Sequence, residues 1–262
     1  MEHLLTTFEA YLVEAHRLKI AYADQITLLV GAETELVDLA GLDKLASQLE
    51  KHRTKIEYLV GSVHHCHSIP IDFDEATFNL ALAATSAPDA QPDAQFAALF
   101  DAYFDSQLTL LEHLRPEVVG HFDLVRLYHP ALDFRAYPAA WAKAERNIRF
   151  AVGYGALFEV NASAFRKGWA TAYPGNEVFD RIVELGGRFT LSDDSHGPLA
   201  VGGNYDRAYE YLAAKGVEEL WSLAPAAPGS EESSRGTVKV KVQGKPWLHA
   251  WPELIVQRAA KR

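Results

Sequence analysis

Eight side chains in this sequence are of types that bind metal ions or move protons, and they recur in one kind of place. Glu33 closes ITLLVGAE. His64 and His65 follow IEYLVGSV. His121 and Asp123 close VVGHFD, and Asp193, Asp194 and His196 close RFTLSDDSH. Imidazole and carboxylate together are the ligand set of Zn²⁺, Mn²⁺ or iron, and a bridging carboxylate suits a site with more than one ion. One residue separates Asp194 from His196. In an extended chain that spacing puts both side chains on one side, with Ser195 turned away. Each group alone has an ordinary explanation: a Glu after a strand caps a helix, and a His packs in a core. Four such groups, each following an apolar run, point to one metal site instead.

The elements that must deliver them are legible as alternating patterns. Apolar runs fit buried strands over Ile26–Glu33, Ile56–His64, Val118–Asp123, Ala156–Ser163 and Arg188–His196. Helical spacing covers Phe8–Ile20, Leu42–Arg53, Asp74–Ala84, Phe96–Leu114, Ala139–Val152, Glu177–Leu185 and Tyr205–Ala214, and Pro116 stops the fourth. Strand–helix alternation implies an α/β fold with a mostly parallel sheet. In a barrel of such units, all the strand ends meet on one face. Thr85–Asp93 and Ala224–Arg235 are small, polar and Pro-containing, and read as a loop and a flexible linker. Thr237–Val242 alternates with period two, as a short edge strand does. A main domain over 1–223 and a tail over 224–262 are therefore expected.

The remaining candidates are few. Arg166 and Lys167 in NASAFRK follow a strand end, and Arg binds phosphate bidentately. Asn161 is placed to hold a substrate hydroxyl or amine. His16, His52 and His113 fall on helices as solvent-facing or capping residues, and His129 and His249 fall in loops. Cys66 reads as a small packed thiol.

Bulk properties exclude several classes. The 262 residues are 48% hydrophobic and carry a net charge of −10. Nucleic-acid binding needs a clustered basic face, so a nucleic-acid partner is not expected. No run approaches the ~20 apolar residues of a membrane span, and the N-terminus lacks the pattern of a signal peptide. A single cysteine allows no internal disulfide. Together these predict a cytoplasmic protein.

Four segments then carry a resemblance. VGSVHHCHSIPIDFD, VVGHFDL, FEVNASAFRKGWATAYP and FTLSDDSHG resemble, in order, the motifs of histidinol-phosphatases of the PHP (polymerase and histidinol phosphatase) family. The resemblance spans roughly Phe8 to Leu223. It implies a distorted (β/α)₇ barrel, up to three divalent metal ions, and hydrolysis of L-histidinol phosphate in histidine biosynthesis. By motif position Glu33 would be the bridging carboxylate, and His64, His121, Asp194 and His196 would be metal ligands. Arg166 would bind the phosphate, and His65, Asp72 and Asn161 would line the substrate pocket. Asp194 or a metal-held water would protonate the leaving alcohol. The family begins with a strand ending H-x-H and a second ending E-H, and this chain has neither. A barrel short by about two strands, with fewer ions, is the expectation, and open strand edges favour self-association. Two rival readings stand beside the phosphatase: another PHP chemistry such as a nuclease, and a remnant that binds metal without catalysis.

Overall fold

The computed structural model describes residues 2–227 and 240–246. Five parallel strands form its centre: β1 (Gly31–Glu35), β2 (Tyr58–Ser62), β5 (Val118–Val119), β6 (Leu157–Asn161) and β7 (Arg188–Ser192). Two short strands, β3 (His65–Cys66) and β4 (Ile69–Pro70), make a separate antiparallel pair after β2. Helices α1 (Glu2–Ala21), α2 (Leu39–Lys51), α3 (Glu75–Ala84), α4 (Pro92–Leu114), α5 (Pro138–Tyr154), α6 (Ser163–Arg166), α7 (Asn176–Glu184) and α8 (Tyr205–Ala214) occupy the connections. The hairpin β8 (Glu219–Pro225) and β9 (Val240–Pro246) follows.

The sheet order is β1-β2-β5-β6-β7, so each parallel strand is added beside the last. Parallel crossovers have one hand, so an order that never reverses puts the connecting helices on one side and curls the sheet as an arc of a barrel. All five carboxyl ends then point to the same rim. The expected α/β architecture is present, with β1 and β7 as the outer strands of the main sheet. On its inner side lies a cavity of about 650 Å³, lined by Tyr58, Val60, Glu159 and Ser192 and bordered by the β8–β9 hairpin.

Burial explains why these segments hold. Residues 157–161 are all buried, as a central parallel strand requires. The long α4 buries Leu99, Phe100, Tyr103, Phe104, Leu110 and Leu111 against the sheet and α5. Gly61 lets α4 approach β2, since a Cβ there would overlap Pro116 and come within 2.8 Å of Leu110. A second core of Leu12, Val30, Leu42, Ile56 and Leu59 docks α1 and α2.

Several boundaries differ from the sequence expectation: Glu33, expected to end its strand, lies inside β1; β2 and β7 end at Ser62 and Ser192; and α4 already begins at Pro92. Ile26–Val30 is not strand: the ladder begins at Gly31 opposite Tyr58, preceded by a single backbone bond from Glu57 N to the Val30 carbonyl. The strand expected over Val118–Asp123 pairs only at Val118–Val119, since Gly120 onward turns into a 3₁₀ segment at Leu124–Arg126. Ala224 and Pro225, assigned to a linker, belong to β8, because β9 pairs with them through Lys241 and Val240. The expected boundary after Leu223 thus falls inside a strand. The remainder of that linker from residue 228, and positions 237–239 of the expected edge strand, lie outside the described residues, as does His249.

Candidate metal centre

β1, β2 and the loop after β5 bring three of the expected ligands together. Glu33, His64 and His121 each offer one donor atom, and the three atoms lie within 4.8 Å of one another. His64 Nε2 is 3.0 Å from His121 Nε2. Glu33 Oε1 is 3.6 Å from His64 Nε2 and 3.3 Å from His121 Nε2. Strand register creates this meeting: Glu33 pairs with Val60, and β5 pairs with β2 just before Gly120 and His121 leave the sheet.

Electrostatics shows what the pocket wants. Burial opposes ionisation of Glu33, but the hydrogen bond and charge of His121 outweigh it and hold the carboxyl at about 2. Burial also disfavours a charged His121, yet Glu33 and Glu159 raise its pKa. Burial and the neighbouring His121 push His64 down to about 4. Three donor atoms thus crowd together, with the two imidazole nitrogens 3.0 Å apart. A divalent cation suits such a set, and one carboxylate with two imidazoles is a donor set for Zn²⁺, Mn²⁺ or iron. The residues fit a metal.

A buried carboxylate supports this cluster from below. Glu159, on β6, is 7% exposed. It accepts from the His121 backbone N at 2.7 Å and from Asn161 Nδ2 at 3.1 Å. Burial raises its pKa, against the opposing effect of His121. Asn161 is itself 1% exposed, and its Oδ1 accepts from Ser163 N at 2.8 Å. Its amide is thus committed to Glu159 and to the start of α6.

The other expected residues scatter more widely. Asp194 sits beside α6, where Ser163 Oγ donates to Oδ2 at 3.3 Å, and its charge reaches His121. Its φ of 51° turns the chain out of the strand. His196 consequently faces solvent, 81% exposed, with Nδ1 2.9 Å from the Asp194 carbonyl. His65 is held through Nδ1 by Glu35. Asp72 is half-buried and its charge acts on His64. Arg166 is exposed at the end of α6, and Lys167 Nζ lies 5.9 Å from the Tyr173 ring centroid. Asp193 is not with the donors; it caps the loop by accepting from Gly202 N. Asp123 is an ion-pair partner of Arg126. Among the remaining histidines, His52 caps α2 and His16 contacts the Lys55 carbonyl.

Glu35 and Glu159 were not among the sequence candidates. A period-two signal marks both: Glu35 lies two residues after Glu33 and Glu159 two before Asn161, so each pair shares one side of its strand. The 650 Å³ cavity does not include Glu33, His64 or His121. The convergence of donors, rather than cavity size, locates the chemistry.

Comparison with known proteins gives concordant results. Residues 2–163 match the PHP domain family. Over 232 residues the chain is 44% identical to a Schizosaccharomyces pombe protein named probable histidinol-phosphatase, covering 87% of this chain and 73% of that one. It is 30% identical over 236 residues to the histidinol-phosphatase of Saccharomyces cerevisiae, covering 80% and 68%. Among solved structures, the hisK protein from Listeria monocytogenes superposes with a TM-score of 0.62 at 18% identity, covering 77% of this chain and 75% of that one. Histidinol phosphate phosphatase from Lactococcus lactis, complexed with Zn, L-histidinol and phosphate, superposes with a TM-score of 0.56 at 17% identity, covering 82% and 76%.

Proposed function

The chain belongs to the PHP domain family, and from that premise we propose that it is a metal-dependent phosphomonoesterase converting L-histidinol phosphate and water to L-histidinol and phosphate. The convergence of Glu33, inside β1, with His64 and His121, just past β2 and β5, carries the reading. The names of the two fungal relatives support the substrate.

Glu33, His64 and His121 would hold the ion, with Asp194 and His196 as further ligands, His196 by rotation of its exposed loop. A divalent ion bound there supplies Lewis acidity toward a phosphoryl oxygen and acidifies water. Arg166, exposed at the end of α6, would clamp the phosphate through paired N–H donors. As the P–O bond breaks, Asp194 would relay the proton released by the attacking water to the leaving alcohol oxygen. His65, fixed by Glu35, and Asp72 would face the cationic end of the substrate, with Asn161 setting the floor. Zn²⁺, Mn²⁺ or iron all suit the donor set, and one or two ions rather than three suit the described ligands.

The described residues include no helix long and apolar enough to cross a membrane. A cytoplasmic enzyme that self-associates through its open strand edges completes the proposal, and light scattering tests the association.

The experiment is phosphate release from L-histidinol phosphate after metal removal and Mn²⁺ or Zn²⁺ addition, with Arg166→Ala alongside. Metal-dependent turnover, lost in the variant, is the expected result. Metal binding without turnover on this substrate, but with turnover on another phosphoester, would overturn the substrate assignment.

A further inference from the structure

Just behind the donor cluster lies a buried ion network that the reaction does not use. Arg126 is 2% exposed and Asp123 is fully buried. Arg126 donates to Asp123 Oδ2 through Nη2 at 2.6 Å and Nε at 3.2 Å, to the Leu132 carbonyl through Nη1 at 2.6 Å, and to Glu177. Its guanidinium lies 4.6 Å from the Phe134 ring centroid and 5.4 Å from that of Trp169. Every face of the group is used.

The network joins two loops that meet at His121. Asp123 lies two residues beyond His121, and its Oδ2 also accepts from Gly175 N at 2.8 Å. Gly175 is the N-cap of α7, and Glu177 is in that helix's first turn. The glycine is required by close approach, since a Cβ there would overlap Arg126 Nη2. Two residues before it, Tyr173 packs edge-on against the His121 ring with centroids 6.4 Å apart. Backbone hydrogen bonds in both directions tie Tyr173 to Asn161 at the end of β6. The His121 ring is therefore set by a loop that Asp123 and Arg126 hold in place.

We propose that Arg126 is a positioning residue for the metal centre, acting through Asp123 and the Tyr173–Gly175 loop on His121. The inference rests on the metal reading above. A guanidinium is needed because only its planar fork serves Asp123, Glu177 and a carbonyl together. A merely structural ion pair would hold α7 without affecting the ligand geometry.

The test uses the full chain, freed of metal and titrated with Co²⁺ by visible absorption against a competing chelator, with thermal melting in parallel. Arg126→Lys should fold but weaken Co²⁺ by at least about tenfold and alter its absorption bands, since support lost behind a ligand typically costs 10–100-fold in affinity. Glu177→Gln, which is isosteric, should shift affinity the same way by a smaller factor, and it decides the matter if Arg126→Lys does not fold. Arg181→Met, which removes surface pairs with Glu145 and Glu184, should change melting alone. Wild-type Co²⁺ affinity and spectrum in folded Arg126→Lys, or in Glu177→Gln where that variant decides, would overturn the inference even with a lower melting temperature. Absence of Co²⁺ binding by the unaltered chain would overturn the metal reading as well, whereas failure to hydrolyse histidinol phosphate with Co²⁺ bound would touch only the substrate.

Discussion

Replacing Glu159 isolates the support beneath the site. In Glu159→Ala, the His121 backbone N–H and the Asn161 amide N–H both lose their acceptor in a buried place. An unsatisfied buried donor costs about 1–3 kcal/mol, so the two together cost about 2–6 kcal/mol. Ser192, whose side chain also bonds Glu159, can turn its hydroxyl elsewhere and adds little. Glu159→Gln can keep both bonds, because both donors reach the same oxygen, Oε2, which the amide carbonyl can replace with its NH₂ at the Oε1 position. Alanine should therefore be the more damaging by at least about 1 kcal/mol. Urea unfolding of metal-free protein at pH 7 measures both, with a constant m-value as the check on comparability. An alanine variant within about 1 kcal/mol of wild type, or a glutamine variant as damaged as alanine, would refute the reasoning. The first result would mean that solvent reaches the floor of the site, and the second that an amide cannot take the place of the carboxylate there.

Other expectations are more local. Gly61→Ala should destabilise by about 1–3 kcal/mol in thermal or urea unfolding, because its Cβ overpacks Pro116 and Leu110; wild-type stability would show that α4 can shift freely. Unfolded His64 takes a proton near 6.5, whereas the folded residue resists until about 4. The unfolded state thus binds more protons between those values, and metal-free stability should fall as pH drops through that window. His64→Gln should flatten that slope; an unchanged slope would contradict it. Burial pushes the Cys66 thiol up to about 12. Thiol reagents at pH 8 should react with it at the rate of unfolding, and fast labelling of folded protein would contradict its packing.

Much of the site was readable because strand ends have a local signature. An apolar run fixes where a strand passes through the core, and the first polar residues after it must emerge at the rim. That reasoning singled out Glu33, His64 and His121, which converge, and also Asp194, which sits apart beside α6. It overshot at Ile26–Val30, where apolar residues border the inner cavity and pair with no strand, because periodicity records burial and not hydrogen-bonding partners. It passed over Glu159, because the segment FEVN alone gives no sign of which polar groups lie across from the glutamate.

The sequence by itself determined the side-chain types, the strand–helix alternation and the direction in which each ligand leaves its strand, since these depend on neighbouring residues and on the two-residue repeat of extended backbone. Only the tertiary structure decided which candidates meet. Glu33, His64 and His121 converge because the registers β1–β2 and β2–β5 level their strand ends. His196, equally suited by type, faces solvent because Asp194 turns left-handed after β7. Arg126 became part of the centre's support because its loop packs against α7, more than forty residues away in sequence. Distances between strand ends are set by how separate segments share a core, and no local pattern encodes that sum of packing.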